Sequence, residues 1–166
     1  RIALMAAAAA VMAGCSSGVK LNDASVEDRN ANANATSGVT GVDLTGKDIA
    51  PDGGPANVGR VVYFDFDSYV VKADAQGLID GNARFLKADA NRKVVVEGHT
   101  DERGGREYNL ALGQKRAEAV RRSLNLLGVQ DSQVEAVSFG KEKPAAEGAN
   151  EAAYSQNRRA ELSYRR

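Results

Sequence analysis

From Arg60 onward the chain alternates strand signals with helix signals, which limits it to a few architectures. Residues 60–67 read as a strand with Val62, Phe64 and Phe66 on one face. Residues 72–88 read as a helix packing through Ala75, Leu78, Ile79, Phe85 and Leu86. Residues 93–99 form a second strand, residues 106–128 the main helix and residues 134–139 a third strand. A short helix near Glu151 precedes a last strand, residues 159–164, in which Ala160, Leu162 and Tyr164 alternate with polar residues. Strands separated by helices imply right-handed crossovers and parallel pairing. The expected class is therefore α/β, with helices collected on one face of a small sheet.

Upstream of this domain, residues 60–166, the composition changes. Residues 16–59 are rich in Asn, Asp, Ala, Gly, Thr and Ser without a sustained hydrophobic period, so residues 15–59 read as a disordered tether with Cys15 at its head. A flexible coil of that length spans roughly 35–40 Å. Residues 1–14 read as a lipoprotein signal peptide: an uninterrupted apolar run from Ile2 to Ala13, too short to cross a bilayer, meets Gly14 and then Cys15. The chain opens on Arg1, so the first residues of that signal are expected to precede it. Cys15 is the only cysteine, and an unpaired thiol in an exported protein is accounted for by lipidation. Stable anchoring takes more than one acyl chain.

The chemistry concentrates after the second strand. Asp101 lies in a glycine-containing loop, and Arg116 follows fifteen residues later inside the main helix. Leu110, Ala117, Val120, Leu124 and Leu127 recur at helical spacing and mark a core face, while Asn109, Leu112, Gly113 and Arg116 form a neighbouring stripe. Gly113, lacking a side chain, is expected to leave room for a ligand between Asn109 and Arg116. An acid and a guanidinium beside such an opening suit a zwitterion: Asp101 takes an ammonium, and Arg116 grips a carboxylate with two parallel hydrogen bonds. Both are expected to face solvent when no ligand is bound. On spacing alone, an ordinary surface salt bridge remains open.

The stretch from Glu97 to Ala117 resembles the peptidoglycan-binding signature of the OmpA-like domain family. Further matches run from Tyr63 to Ser68, from Gly140 to Pro144 and from Glu151 to Ala160. Together they narrow the resemblance to the branch of peptidoglycan-associated lipoproteins. The resemblance implies an α+β fold, a two-layer β/α sandwich with a small mixed sheet. It implies that Phe66 and Asp67 border the ligand groove, which with Asp101, Asn109, Leu112 and Arg116 completes the expected site. It also places Arg158 near that groove, and Phe66, Glu102 and Tyr108 are expected along its edge. The implied ligand is the meso-diaminopimelate of the peptidoglycan stem. The implied partners are TolB and TolA of the Tol system, with Cys15 anchoring the protein in the outer membrane and the domain in the periplasm. Ser16 after the cysteine resembles the outer-membrane sorting pattern.

Other classes fit less well. Lysine plus arginine equal aspartate plus glutamate at 22 each, so no excess charge argues for nucleic acid. His99 is the only histidine, so neither a zinc site nor a catalytic triad is expected, and His99 reads as structural. No cofactor motif is present, and Gly104 and Gly105 read as a turn. The enzyme alternative is a magnesium-dependent phosphatase using Asp65 and Asp67, but Tyr69 stands where that motif wants threonine or valine.

Overall fold

The computed structural model describes residues 49–164. The expected signal peptide, Cys15 and the tether as far as residue 48 lie outside the described residues. The elements are strand β1 (Val61–Tyr63), helix α1 (Gln76–Lys87), strand β2 (Val94–His99), helix α2 (Arg106–Leu126), strand β3 (Val134–Gly140), helix α3 (Glu151–Asn157) and strand β4 (Arg159–Tyr164). Single 3-10 turns precede α1 and β3. No helix among the described residues is long and apolar enough to cross a membrane.

The four strands form one mixed sheet in the order β1-β4-β2-β3. β2 and β3 pair in parallel, as the helix between them requires. β4 is antiparallel to both β1 and β2, which corrects the expectation of parallel pairing throughout and agrees with the mixed sheet of the OmpA-like fold. The reason lies in α3. Its 7 residues rise only about 10 Å, too little to carry the chain back along the sheet, so β4 starts where β3 ended and runs the other way.

α1 and α2 cover one face of the sheet. Ile79, Ala83, Phe85 and Leu86 of α1 and Ala117, Val120 and Leu124 of α2 pack against Val62, Val94, Val96, Val134, Ala160 and Leu162. Leu110 is only half-buried and Leu127, beyond the last turn, is exposed, so the core stripe of α2 is shorter than its apolar pattern. α2 ends where Gly128 enters the left-handed region (φ 92) and Val129 N–H bonds back to the Leu124 carbonyl at 3.1 Å.

Two further departures matter for the site. β1 stops at Tyr63, and after Phe64 N–H donates to the Arg158 carbonyl the chain turns, with Asp67 at φ 52. Phe66 therefore leaves the face of Val62 and Phe64 and stands 61% exposed, because β4 begins at Arg159, opposite Tyr63, and offers residues 65–67 no partner. Residues 49–59, upstream of Arg60, also pack on the domain. Ile49 bridges to Pro55, Arg60 pairs with Asp52 and stands over the Tyr164 ring, and Gly54 packs against that ring so closely that a Cβ would collide with it.

Candidate functional site

α2 approaches the sheet backbone to backbone. A Cβ on Gly98 would collide with the Gly113 carbonyl, and one on Gly113 would collide with Ser138 Oγ. The bare side of Gly113 thus faces β2 and β3. The expectation that it makes room for a ligand is corrected: it makes room for the sheet, and the close crossing brings Arg116 over the end of β2.

Beyond that crossing lies an open cleft of ≈ 230 Å³. All six residues expected at the site line it: Phe66, Asp67, Asp101, Asn109, Leu112 and Arg116. Three separate segments supply them, the turn after β1, the loop after β2 and the first half of α2.

Arg116 is 1% exposed, so the expectation of a solvent-facing guanidinium is corrected. Its Nε donates to the Ser68 carbonyl at 2.8 Å, Nη1 to the His99 carbonyl at 2.8 Å and Nη2 to the Asp65 carbonyl at 3.1 Å. It therefore staples the turn after β1 to the end of β2. A guanidinium has five N–H donors. One on each terminal nitrogen has no partner among the described residues. Burial lowers the Arg116 pKa to about 10, against the opposing pull of the Asp101 charge, so it remains a cation at neutral pH.

Asp101 is also buried, at 4% exposure, again against expectation. Its Oδ1 accepts from the Arg103 backbone N–H at 3.2 Å. Its Oδ2 accepts from Arg103 Nη2 at 2.5 Å and from Arg158 Nη1 at 3.4 Å. Burial raises the carboxyl, but the Arg103 hydrogen bonds and charge, with Arg158, outweigh it and hold Asp101 below the usual range. Asp101 and Arg116 make no direct ion pair, so the surface salt-bridge reading does not describe them.

The other members position and shape the cleft. Asn109 Nδ2 donates to the Arg103 carbonyl at 2.9 Å and ties the loop to α2. Tyr108 O–H donates to Asp67, joining α2 to the turn across the mouth, and that bond raises the Tyr108 phenol. Phe66 and Leu112 give an apolar edge and floor. Arg158 lines the cleft as the resemblance implied, held by the Phe64 carbonyl at 3.2 Å and by Glu151 at 2.5 Å. Glu102 does not: its carboxylate accepts from Tyr154 O–H at 2.9 Å, and it lines a different depression with Lys141 and Pro144.

Sequence reasoning missed Arg103 and Thr100. The signal for Arg103 was local, since an aspartate two residues before an N–H forms a side-chain-to-backbone turn that brings the next side chain back to it. Thr100 Oγ1 is buried without a hydrogen-bond partner among the described residues, and no spacing rule reveals that. Asp65 and Asp67 do not converge. Asp65 pairs with Lys72 at 3.5 Å and lines another depression with Tyr63 and Gln156, whereas Asp67 faces the cleft.

Three guanidinium groups and two carboxylates thus share one small cleft with an apolar edge. Such a site can hold a ligand carrying both charges at short separation. A model of the OmpA family matches residues 63–158. A peptidoglycan-associated lipoprotein of Pseudomonas aeruginosa is 45% identical over 168 aligned residues, covering 98% of this chain and 95% of that protein. One of Pasteurella multocida is 55% identical over 105 residues, 63% of this chain and 70% of that protein. The crystal structure of the peptidoglycan-associated lipoprotein from Burkholderia pseudomallei is similar at a TM-score of 0.64 and 61% identity, covering 64% of this chain and 91% of that one. The chain belongs to the OmpA family, and within it to the peptidoglycan-associated lipoproteins.

Proposed function

We propose that this chain is a non-enzymatic envelope lipoprotein whose domain grips peptidoglycan through the diaminopimelate of the stem peptide. The observation that carries the reading is the convergence of Asp101 and Arg116 in one cleft with Phe66, Asp67, Asn109 and Leu112. Asp101 keeps acceptor capacity beyond its three bonds, which suits an ammonium. The unpartnered N–H groups of Arg116 suit a carboxylate. The phosphatase alternative would need Asp65 and Asp67 at one reacting centre, and their separate surroundings count against it.

The remaining parts of the proposal are supported by the sequence and by the family resemblance. Residues 1–14 direct export, Cys15 carries the lipid in the outer membrane, and the tether lets the periplasmic domain reach the wall. TolB and TolA are its partners in envelope integrity and cell division. The exposed rim formed by Phe66 and Tyr108 is the surface on which TolB competes with the wall.

Sedimentation with purified peptidoglycan sacculi, competed by free diaminopimelate, tests the site. Asp101→Ala removes a charge-assisted partner, a loss of roughly 1.5–3 kcal/mol, and should weaken sacculus binding about 10- to 150-fold. Undiminished binding by that variant would sink the site. Cys15→Ser should move the protein from the outer-membrane fraction to the soluble periplasm. Its retention in membranes stripped of peptidoglycan and Tol partners would refute the lipid anchor.

A further inference from the structure

Arg103 is a cation held by contacts on several sides, although its side chain is 38% exposed. Its guanidinium stands 4.2 Å from the Phe66 ring centroid and 4.3 Å from that of Tyr154. Both rings contribute cation–π attraction, which restrains a long side chain that would otherwise sample many rotamers. Nη2 donates to Asp101 Oδ2 while the Arg103 backbone N–H holds Oδ1, so one residue holds both oxygens of the carboxylate. Tyr154 comes from α3, does not line the cleft, and is itself tied through its hydroxyl to Glu102.

We infer that Arg103 is a positioning residue that aims the Asp101 carboxylate into the cleft, and that the Phe66–Tyr154 sandwich keeps Arg103 in place to do so. The inference rests on the reading of Asp101 as the carboxylate that meets the wall. It makes α3, remote from the ligand, part of the grip. The charged and titratable groups facing Asp101 are Arg103 in its own loop, Arg116 on α2, Glu151 and Tyr154 on α3, and Arg158 just after α3. The Arg103 side-chain hydrogen bond is the largest of the effects that oppose burial, so without that side chain the carboxyl takes up a proton at higher pH.

The test is sedimentation of the full chain with purified sacculi, from neutral to acidic pH, with a thermal melt for every variant. Arg103→Ala should bind about tenfold more weakly at neutral pH, and the pH at which binding is half lost should move upward. Tyr154→Leu should shift both in the same direction by less, although it touches no ligand. Arg103→Lys keeps the charge but not the flat, stackable fork, so it should restore the acid midpoint better than the affinity. Should Arg103→Ala fail to fold, Tyr154→Leu decides. Unchanged affinity and midpoint in the folded variants would overturn the inference. So would weaker binding by Arg103→Ala with an unmoved midpoint and a silent Tyr154→Leu, since Arg103 would then touch the ligand itself. Asp101→Ala separates the two levels. If it binds normally, the wall-binding reading falls and takes the inference with it. If it abolishes binding while Arg103→Ala and Tyr154→Leu bind as wild type, only the inference falls.

Discussion

At the end of the sheet away from the cleft, the buried polar side chains are Asn82 and Gln133. Asn82 donates to the Gly59 and Leu78 carbonyls and accepts from Tyr164 O–H. Gln133 donates to the carbonyls of Leu86, Asp89 and Arg92. Both are neutral amides used up in closing turns over an apolar core. At the cleft end the buried polar set is His99, Thr100, Asp101, Asn109, Arg116, Asn157, Arg158 and Arg159, half of it charged. There both His99 ring nitrogens and Thr100 Oγ1 lack partners among the described residues. Burying charge carries a desolvation cost that pairing offsets only in part, so the cleft end gives up stability that the other end retains. The wall-binding role proposed for the cleft would account for that cost, because donors and acceptors saturated by the protein have nothing left for a ligand.

The sharpest way to break this contrast is Arg116→Ala. It strands three backbone carbonyls that one buried cation satisfied and should lower stability by about 3–5 kcal/mol, with sacculus binding lost as well. Urea melts measure the first and sedimentation the second. Full stability would mean that the staple between the turn and β2 is dispensable. Leu124→Ala, in the core, should cost about 2–5 kcal/mol through the cavity it leaves. Its binding per folded molecule should be unchanged, and a binding defect at a temperature where it is fully folded would erase the distinction between the ends.

Acid titration sharpens the contrast. Burial, with the Arg159 and Lys143 charges, lowers the His99 pKa to about 4. The unfolded chain takes up this proton first, so the contribution is fully present above the ordinary histidine pKa of about 6.5 and declines as the pH falls from there toward 4. The loss should reach about 3 kcal/mol. His99→Phe, which keeps a ring stacked on Phe139, should flatten that slope in melts taken across the window. A slope equal to that of the wild type would mean that other groups carry it. The smallest effect is expected at Gly113→Ala, where the new methyl meets Ser138 and the Gly98 carbonyl and should cost roughly 1–3 kcal/mol by overpacking. Improved thermal stability would show that the close crossing is not needed.

Much of the fold was legible because local periodicity reports which face of an element is buried. The stripes through Ile79, Phe85 and Leu86 in α1, and through Ala160, Leu162 and Tyr164 in β4, met the core as read. The six residues expected at the site were read partly from spacing and partly from family resemblance, and the structure brings them to one cleft. Where the reading failed, the partner lay far away in the chain. Nothing within residues 60–67 says that β4 will begin opposite Tyr63 and leave Phe66 without a partner. The helical stripe of Gly113 and Arg116 does not say whether sheet or solvent lies opposite.

The sequence by itself determined the order and kind of the elements, the apolar faces and the residue types that gather around the cleft, because each depends on neighbours a few positions apart. Tertiary structure alone decided that β4 enters antiparallel between β1 and β2, and that Gly113 faces Gly98. It likewise buried Arg116 under three carbonyls from residues 17 to 51 positions away and set Arg103 between the rings of Phe66 and Tyr154. Burial, hydrogen-bond saturation and the charge state of a carboxylate are properties of what surrounds a group in space, and for these residues the surroundings come from segments that meet only when the sheet closes.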